Sequence, residues 1–135
     1  MATGTAATAA RVYAAQMVHY LRKTITFADD GDTITVGIIP AGSTILNPIS
    51  GVQVNVAFDG NSSNVLDVGA STDSGTNNFA SAISLASIGF VKLDETGVTH
   101  NVSVDTTIQV LVTSTASAAA GSGEVIICYI PDNDG

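Results

Sequence analysis

The sequence predicts an all-β protein, a jelly-roll-like β-sandwich of about eight short strands behind a flexible N-terminal arm. Three observations carry that expectation. Short runs alternate apolar and polar residues; clusters of Gly, Pro, Asn, Asp and Ser separate them at roughly 10 to 15 residue spacing. The composition is 45% hydrophobic yet 5% aromatic and 12% charged, about half the usual charged fraction. A surface covered by Ser, Thr, Asn and backbone suits strands, and suits a chain that hides part of its exterior against neighbours.

Taken in order, residues 1–23 read as the arm and residues 24–135 as the sandwich domain. Residues 1–10, built from Met, Ala, Thr, Gly, show no periodicity. In "RVYAAQMVHYLRK" the positions Ala15, Met17, Val18 and Leu21 suit a helix, whereas Val12, Tyr13, Val18 and Tyr20 suit a strand, so both remain open. "KTITF" alternates and stops at "ADDGDT", a turn signal. "TITVGIIP" places Ile34, Val36 and Ile38 on one face before Pro40-Ala41-Gly42 ends the run. "GVQVNVAFDG" sets Val52, Val54, Val56 and Phe58 against Gln53, Asn55 and Asp59.

The stretch from Asn55 to Phe79 reads as a long exposed loop holding a short strand at Val65 to Val68. "FASAISLASIG" and "FVKLDETG" supply further short runs. In "NVSVDTTIQVLVTST" the residues Val102, Val104, Ile108, Val110 and Val112 share parity, with Leu111 out of step. "EVIICYI" is apolar at both parities, which predicts a central strand covered on both faces. Strands this short with long connections indicate a jelly roll rather than a meander.

The charge is uneven. Arg11, Arg22 and Lys23 fall in residues 1–28, which hold no acid, while residues 29–135 hold all twelve acids and Lys92, so the first part is +3 and the rest 1 − 12 = −11. Four basic residues and a net charge of −8 argue against a nucleic-acid binder. No apolar stretch approaches the length of a membrane span. No basic n-region precedes an apolar segment at the start, so cytoplasmic synthesis is expected. The basic arm lies either across its own acidic body or on an acidic partner surface, and Arg11, Arg22 and Lys23 are the candidate docking residues.

Motifs that carry chemistry are few. Asp59, Asn61 and Asn64 miss the EF-hand spacing; Asp29, Asp30 and Asp32 are a tighter oxygen cluster that reads first as a solvated turn, leaving Ca²⁺ open. Asn61-Ser62-Ser63 and Asn101-Val102-Ser103 satisfy the glycosylation pattern, as chance allows in such a composition. His19 and His100 have no nucleophile partner in sequence and read as structural; Cys128 reads as a small buried hydrophobe. Zinc spacing and phosphate-cradling loops are missing, so the expectation is no enzyme, no catalytic residue, no metal and no cofactor.

The order of signals from Thr24 to Pro131, with "IPAG", then "AF", then "LDVG" before a Ser/Thr-Asp-rich loop, and "VTSTASAAAGSGEVIICYIP" at the close, resembles tailed-bacteriophage capsid decoration, or cement, proteins. The resemblance implies a small β-sandwich, a homotrimer on the outside of the head, and the major capsid protein as partner. It implies a non-enzymatic virion protein, made in the host cytoplasm, that bridges capsid subunits. A head-fibre or tail-spike subunit is the alternative within the same class. A carbohydrate-binding module is the alternative outside it, and would need exposed aromatics, for which Tyr13, Tyr20 and Tyr129 are the tyrosines available.

Overall fold

The computed structural model describes residues 18–71, 77–95 and 104–131. Among them lie nine strands: β1 (His19–Thr26), β2 (Thr33–Ile39), β3 (Thr44–Ile45), β4 (Gly51–Val56), β5 (Asn64–Ala70), β6 (Ala80–Ser84), β7 (Gly89–Lys92), β8 (Thr106–Ser114) and β9 (Ser122–Ile130). Two single 3-10 turns, Phe27–Asp29 and Asn47–Ile49, are the helical pieces. The described part of the ambiguous Arg11–Lys23 segment is therefore strand from His19 onward, and Arg11 to Met17 lie outside the described residues.

The strands form two antiparallel sheets. The first runs β1-β9-β4-β7, with β3 also pairing β9; the second runs β2-β8-β5-β6. The pairs β1·β9, β2·β8, β4·β7 and β5·β6 match first with last and inward from there. That is the jelly-roll wrap: one long antiparallel ribbon rolled until its two halves face each other. Only the β3–β4 and β5–β6 connections stay within a sheet; every other one crosses. The 57–63 loop is thus a bridge from β4 to β5 between sheets, not a hairpin tip.

Inward residues of both sheets make the core: Ile25, Val52, Val54, Val125 and Ile127 from the first, Leu66, Val68, Ile108, Val110 and Val112 from the second, closed at the ends by Phe58, Phe79 and Leu85. Burying each such aliphatic side chain is worth roughly 1.5–3 kcal/mol. β8 alternates buried and half-buried along its whole length, and β9 does so up to its exposed last residue, Ile130.

Three register shifts correct the simple parity expected from sequence. Between Thr35 and Gly37 an extra residue enters β2, so Val36 and Ile39 are buried and Ile38 is 58% exposed. Between Val54 and Val56 the same happens in β4: Val56 turns outward at 47% exposure, and Phe58 returns to the core. A β-bulge adds one residue to one strand and so inverts the faces beyond it. The third shift, opposite Asp67, lies between β5 and β6. Val104 is also exposed rather than in line with the core residues of β8.

β9 is central, paired by β1 on one edge and by β4 and β3 on the other. Its expected double coverage is corrected: Val125, Ile127 and Tyr129 face the core, whereas Ile126 and Cys128 are half-buried on the outer face.

Candidate functional site

One end of the sandwich gathers the Phe27–Asp32 corner and the loops 57–63, 85–88 and 115–121, because the strands flanking them all turn there. This end is tied together by acids and amides used as acceptors for backbone N–H groups. Asp29 Oδ2 accepts from Thr26 N at 2.8 Å, and Asp30 Oδ1 from Ser114 N at 2.9 Å. Asp59 Oδ1 accepts from Ala119 N at 2.8 Å and Ala120 N at 3.0 Å, and these donors hold its carboxyl below the ordinary aspartate range. Asn64 brackets Gly60 through both its amide oxygen and nitrogen, at 2.8 and 2.9 Å.

The same use recurs elsewhere: Asp67 binds Ala82 N, Asp94 binds Ser81 N, Asp105 binds Ala41 N and Asn78 binds Ala70 N. A carboxylate is a strong acceptor for amides that a turn leaves without a strand partner. Asp29, Asp30 and Asp59, singled out as possible metal ligands, therefore serve backbone amides, near in sequence for Asp29 and far along the chain for Asp30 and Asp59. Asp29 and Asp30 are directed at different donors, and no group of three His, Cys, Asp or Glu among the described residues is arranged to hold an ion.

The remaining expected positions separate clearly. His19 stands at the start of β1 with its ring tilted against Tyr129, centroids 5.7 Å apart. Cys128 donates its thiol to Ile49 O at 3.7 Å, and burial pushes the thiol pKa up. Tyr129 is a core residue; Tyr20 is 64% exposed. Tyr13, His100, Asn101 and Arg11 lie outside the described residues.

Arg22 and Lys23 both sit on β1 and are exposed. Arg22 points from the outer face of the first sheet and forms a forked ion pair with Glu124 of β9, Nε to Oε2 and Nη2 to Oε1, the latter at 2.8 Å. The hydrogen bond with its partner raises the guanidinium pKa and lowers that of Glu124. So one of the three candidate docking cations lies across its own acidic body. This pairing was missed in sequence because the partners stand 102 residues apart.

Around that pair the register maps the whole outer face. Tyr20 stands beside Cys128; Arg22, Ile126, Gly51 and Lys92 form the next row; Thr24, Glu124, Gln53 and Phe90 form the third. Phe90 is 46% exposed. Tyr20 and Phe90 belong to strands at opposite edges, three spacings or about 14 Å apart, so they do not form one aromatic platform for a sugar ring. The face offers contact area and a few charges.

Among solved structures, the chain is similar to a chain of the cyanophage Pam1 capsid asymmetric unit, with 23% identity and a TM-score of 0.57 over 86% of this chain and 84% of that one. It is also similar to a chain in the acidic stable capsid structure of Helicobacter pylori bacteriophage KHP30, with 14% identity and a TM-score of 0.56 over 83% and 86%. At these identities the likeness establishes a shared fold. No family model and no curated protein sequence matches the chain.

Proposed function

We propose that this chain is a non-enzymatic virion structural protein that docks as a homotrimer on the outside of a phage head and bridges neighbouring capsid subunits. The observation that carries the proposal is a jelly roll shared with chains of two phage capsids, at more than four-fifths coverage of both partners in each case. Coverage that even means the likeness is to entire subunits of similar length, not to a module inside a larger chain. Support also comes from the residues: Asp29, Asp30, Asp59, Asp67, Asp94 and Asp105 act as acceptors for turns and edges, which is the work of a scaffold.

The mechanism is burial across a boundary. A protein that binds only the assembled shell stabilises that shell by linkage, about 2.7 kcal/mol per site at a free concentration one hundred times its Kd. The basic residues Arg11, Arg22 and Lys23 are the docking candidates toward an acidic capsid surface, with Lys23 exposed on β1 and Arg22 already bonded to Glu124. The acidic remainder would face solvent, where like charge keeps particles apart.

The test is co-sedimentation of the purified chain with heads that lack it, followed by heating. Saturable binding, together with DNA release at a higher temperature, is expected; a chain that stays in the supernatant overturns the proposal. Removing residues 2–11 should lower occupancy on heads while the circular dichroism spectrum stays that of a β-sandwich. Unchanged occupancy would remove the arm from the docking mechanism.

A further inference from the structure

We infer that the outer edge of β1 is a docking strand, along which an extended acidic segment of the capsid adds as one more strand of the first sheet. A sheet edge offers a row of N–H and C=O groups to any chain that can lie along it. The two sheets have four edges, β1 and β7 in the first and β2 and β6 in the second. β2 and β6 are each interrupted by a register shift, and β7 has four residues. β1 keeps register with β9 over all eight of its residues and contains neither Gly nor Pro. Its hydrogen-bond phase fixes which groups point outward. Phe27 N donates to Gly121 O at 3.1 Å, so the odd-numbered residues of this ladder face β9. The even ones, Tyr20, Arg22 and Thr24, turn their N–H and C=O to the open side; all three are exposed, and among the described residues no backbone partner meets those groups. Thr26, next in the same phase, donates its N–H to Asp29 Oδ2 at 2.8 Å, which closes the row at that end.

Charge selects the occupant. β1 carries Arg22 and Lys23 and no acid. Arg22 is engaged by Glu124, whereas Lys23 has no ion partner among the described residues and is exposed, although its parity is that of the inward Leu21 and Ile25. A charge at such a place disfavours an apolar strand and favours one with a carboxylate opposite it. A second copy does not supply that strand. β2, β6 and β7 hold no Asp or Glu, and residues 1–17 hold none. Two β1 edges laid antiparallel along their length, outward groups facing, set Arg22 on Arg22 or Lys23 on Lys23, and like charges directly opposite are destabilising. The fitting occupant is an extended segment of another protein with an acid in register with Lys23.

The assignment rests on the capsid-docking reading proposed above, and the experiment separates the two. Amide exchange of the free chain, followed by NMR, is the first arm. Fast exchange at Tyr20, Arg22 and Thr24 with slow exchange at Leu21, Lys23 and Ile25 is expected; slow exchange at all six overturns the inference, because the edge is then already covered. The second arm is co-sedimentation with heads that lack the chain, for the wild type, Thr24→Pro, Lys23→Glu and, as a control on the opposite edge, Lys92→Glu. A proline at position 24 removes an outward N–H and leaves the ladder to β9 whole. Expected are a dissociation constant raised tenfold or more for Thr24→Pro and for Lys23→Glu, and wild-type binding for Lys92→Glu. If Thr24→Pro loses the β spectrum, Tyr20→Pro replaces it. A wild type that stays in the supernatant overturns the docking reading and this inference together. Wild-type affinity in the proline variant or in Lys23→Glu, or an equal loss in Lys92→Glu, overturns the strand assignment and leaves docking standing.

Discussion

Asp59 shows how single residues carry this fold. Its carboxylate accepts two amides from the 115–121 loop, and those bonds depress its pKa. A depressed carboxylate contributes stability that is present above its unfolded pKa, near 3.8, and is lost as pH falls through the lower folded value. Asp59→Ala should therefore lower the melting temperature at neutral pH, with the gap to wild type closing toward about pH 2; thermal melts at both pH values check this. Next to it, Gly121 holds a φ of +145°, and a Cβ there would lie 2.6 Å from Phe58 Cγ. Gly121→Ala is expected to cost more than about 1 kcal/mol, since backbone and packing both resist it. Phe58→Ala is expected to cost about 3–5 kcal/mol by emptying the same corner of the core. Denaturant unfolding measures both.

At the scale of elements, the bulge in β6 shows why an edge strand can deform without penalty elsewhere. Ser81 and Ala82 together face the single residue Asp67, and Ala82 takes a φ of 54°. The amides left without ladder partners are received by Asp94 at 2.9 Å and Asp67 at 2.7 Å. Asp67→Ala should speed hydrogen exchange at the Ala82 amide and Asp94→Ala at the Ser81 amide, each leaving the other site alone. Exchange followed by NMR decides it; equal effects of both variants at both amides would mean the bulge opens as a unit. Strand existence and inward faces were readable for β8, where Ile108, Val110 and Val112 keep parity throughout. They misled in β2 and β4, because alternation in sequence is blind to the residue a bulge inserts.

For the whole molecule, the central strand is made last and pairs with the first. β9 joins β1 to β4 and lies almost the full chain length from β1, so the first sheet cannot close until the C-terminal strand arrives. Deleting residues 122–135 should abolish folding, seen as loss of the β spectrum, whereas removing residues 2–11 should leave it. Contacts this non-local also predict folding in the range of about milliseconds to seconds, which stopped-flow refolding measures.

What the sequence determined by itself is local: where most strands run and where turns fall, although the Asn55–Phe79 stretch, read as a long exposed loop, holds β5 with Leu66, Val68 and Ala70 fully buried. Alternation, turn residues and composition act over a handful of positions, so an all-β sandwich could be read from them. The tertiary structure decided the strand order, the faces beyond each bulge, and the meeting of Arg22 with Glu124. It also showed that the charged loops, which looked like possible sites, spend their carboxylates on backbone amides far along the chain. Those outcomes depend on pairing between segments as distant as His19 and Tyr129, and no local pattern specifies which distant strand will supply the partner.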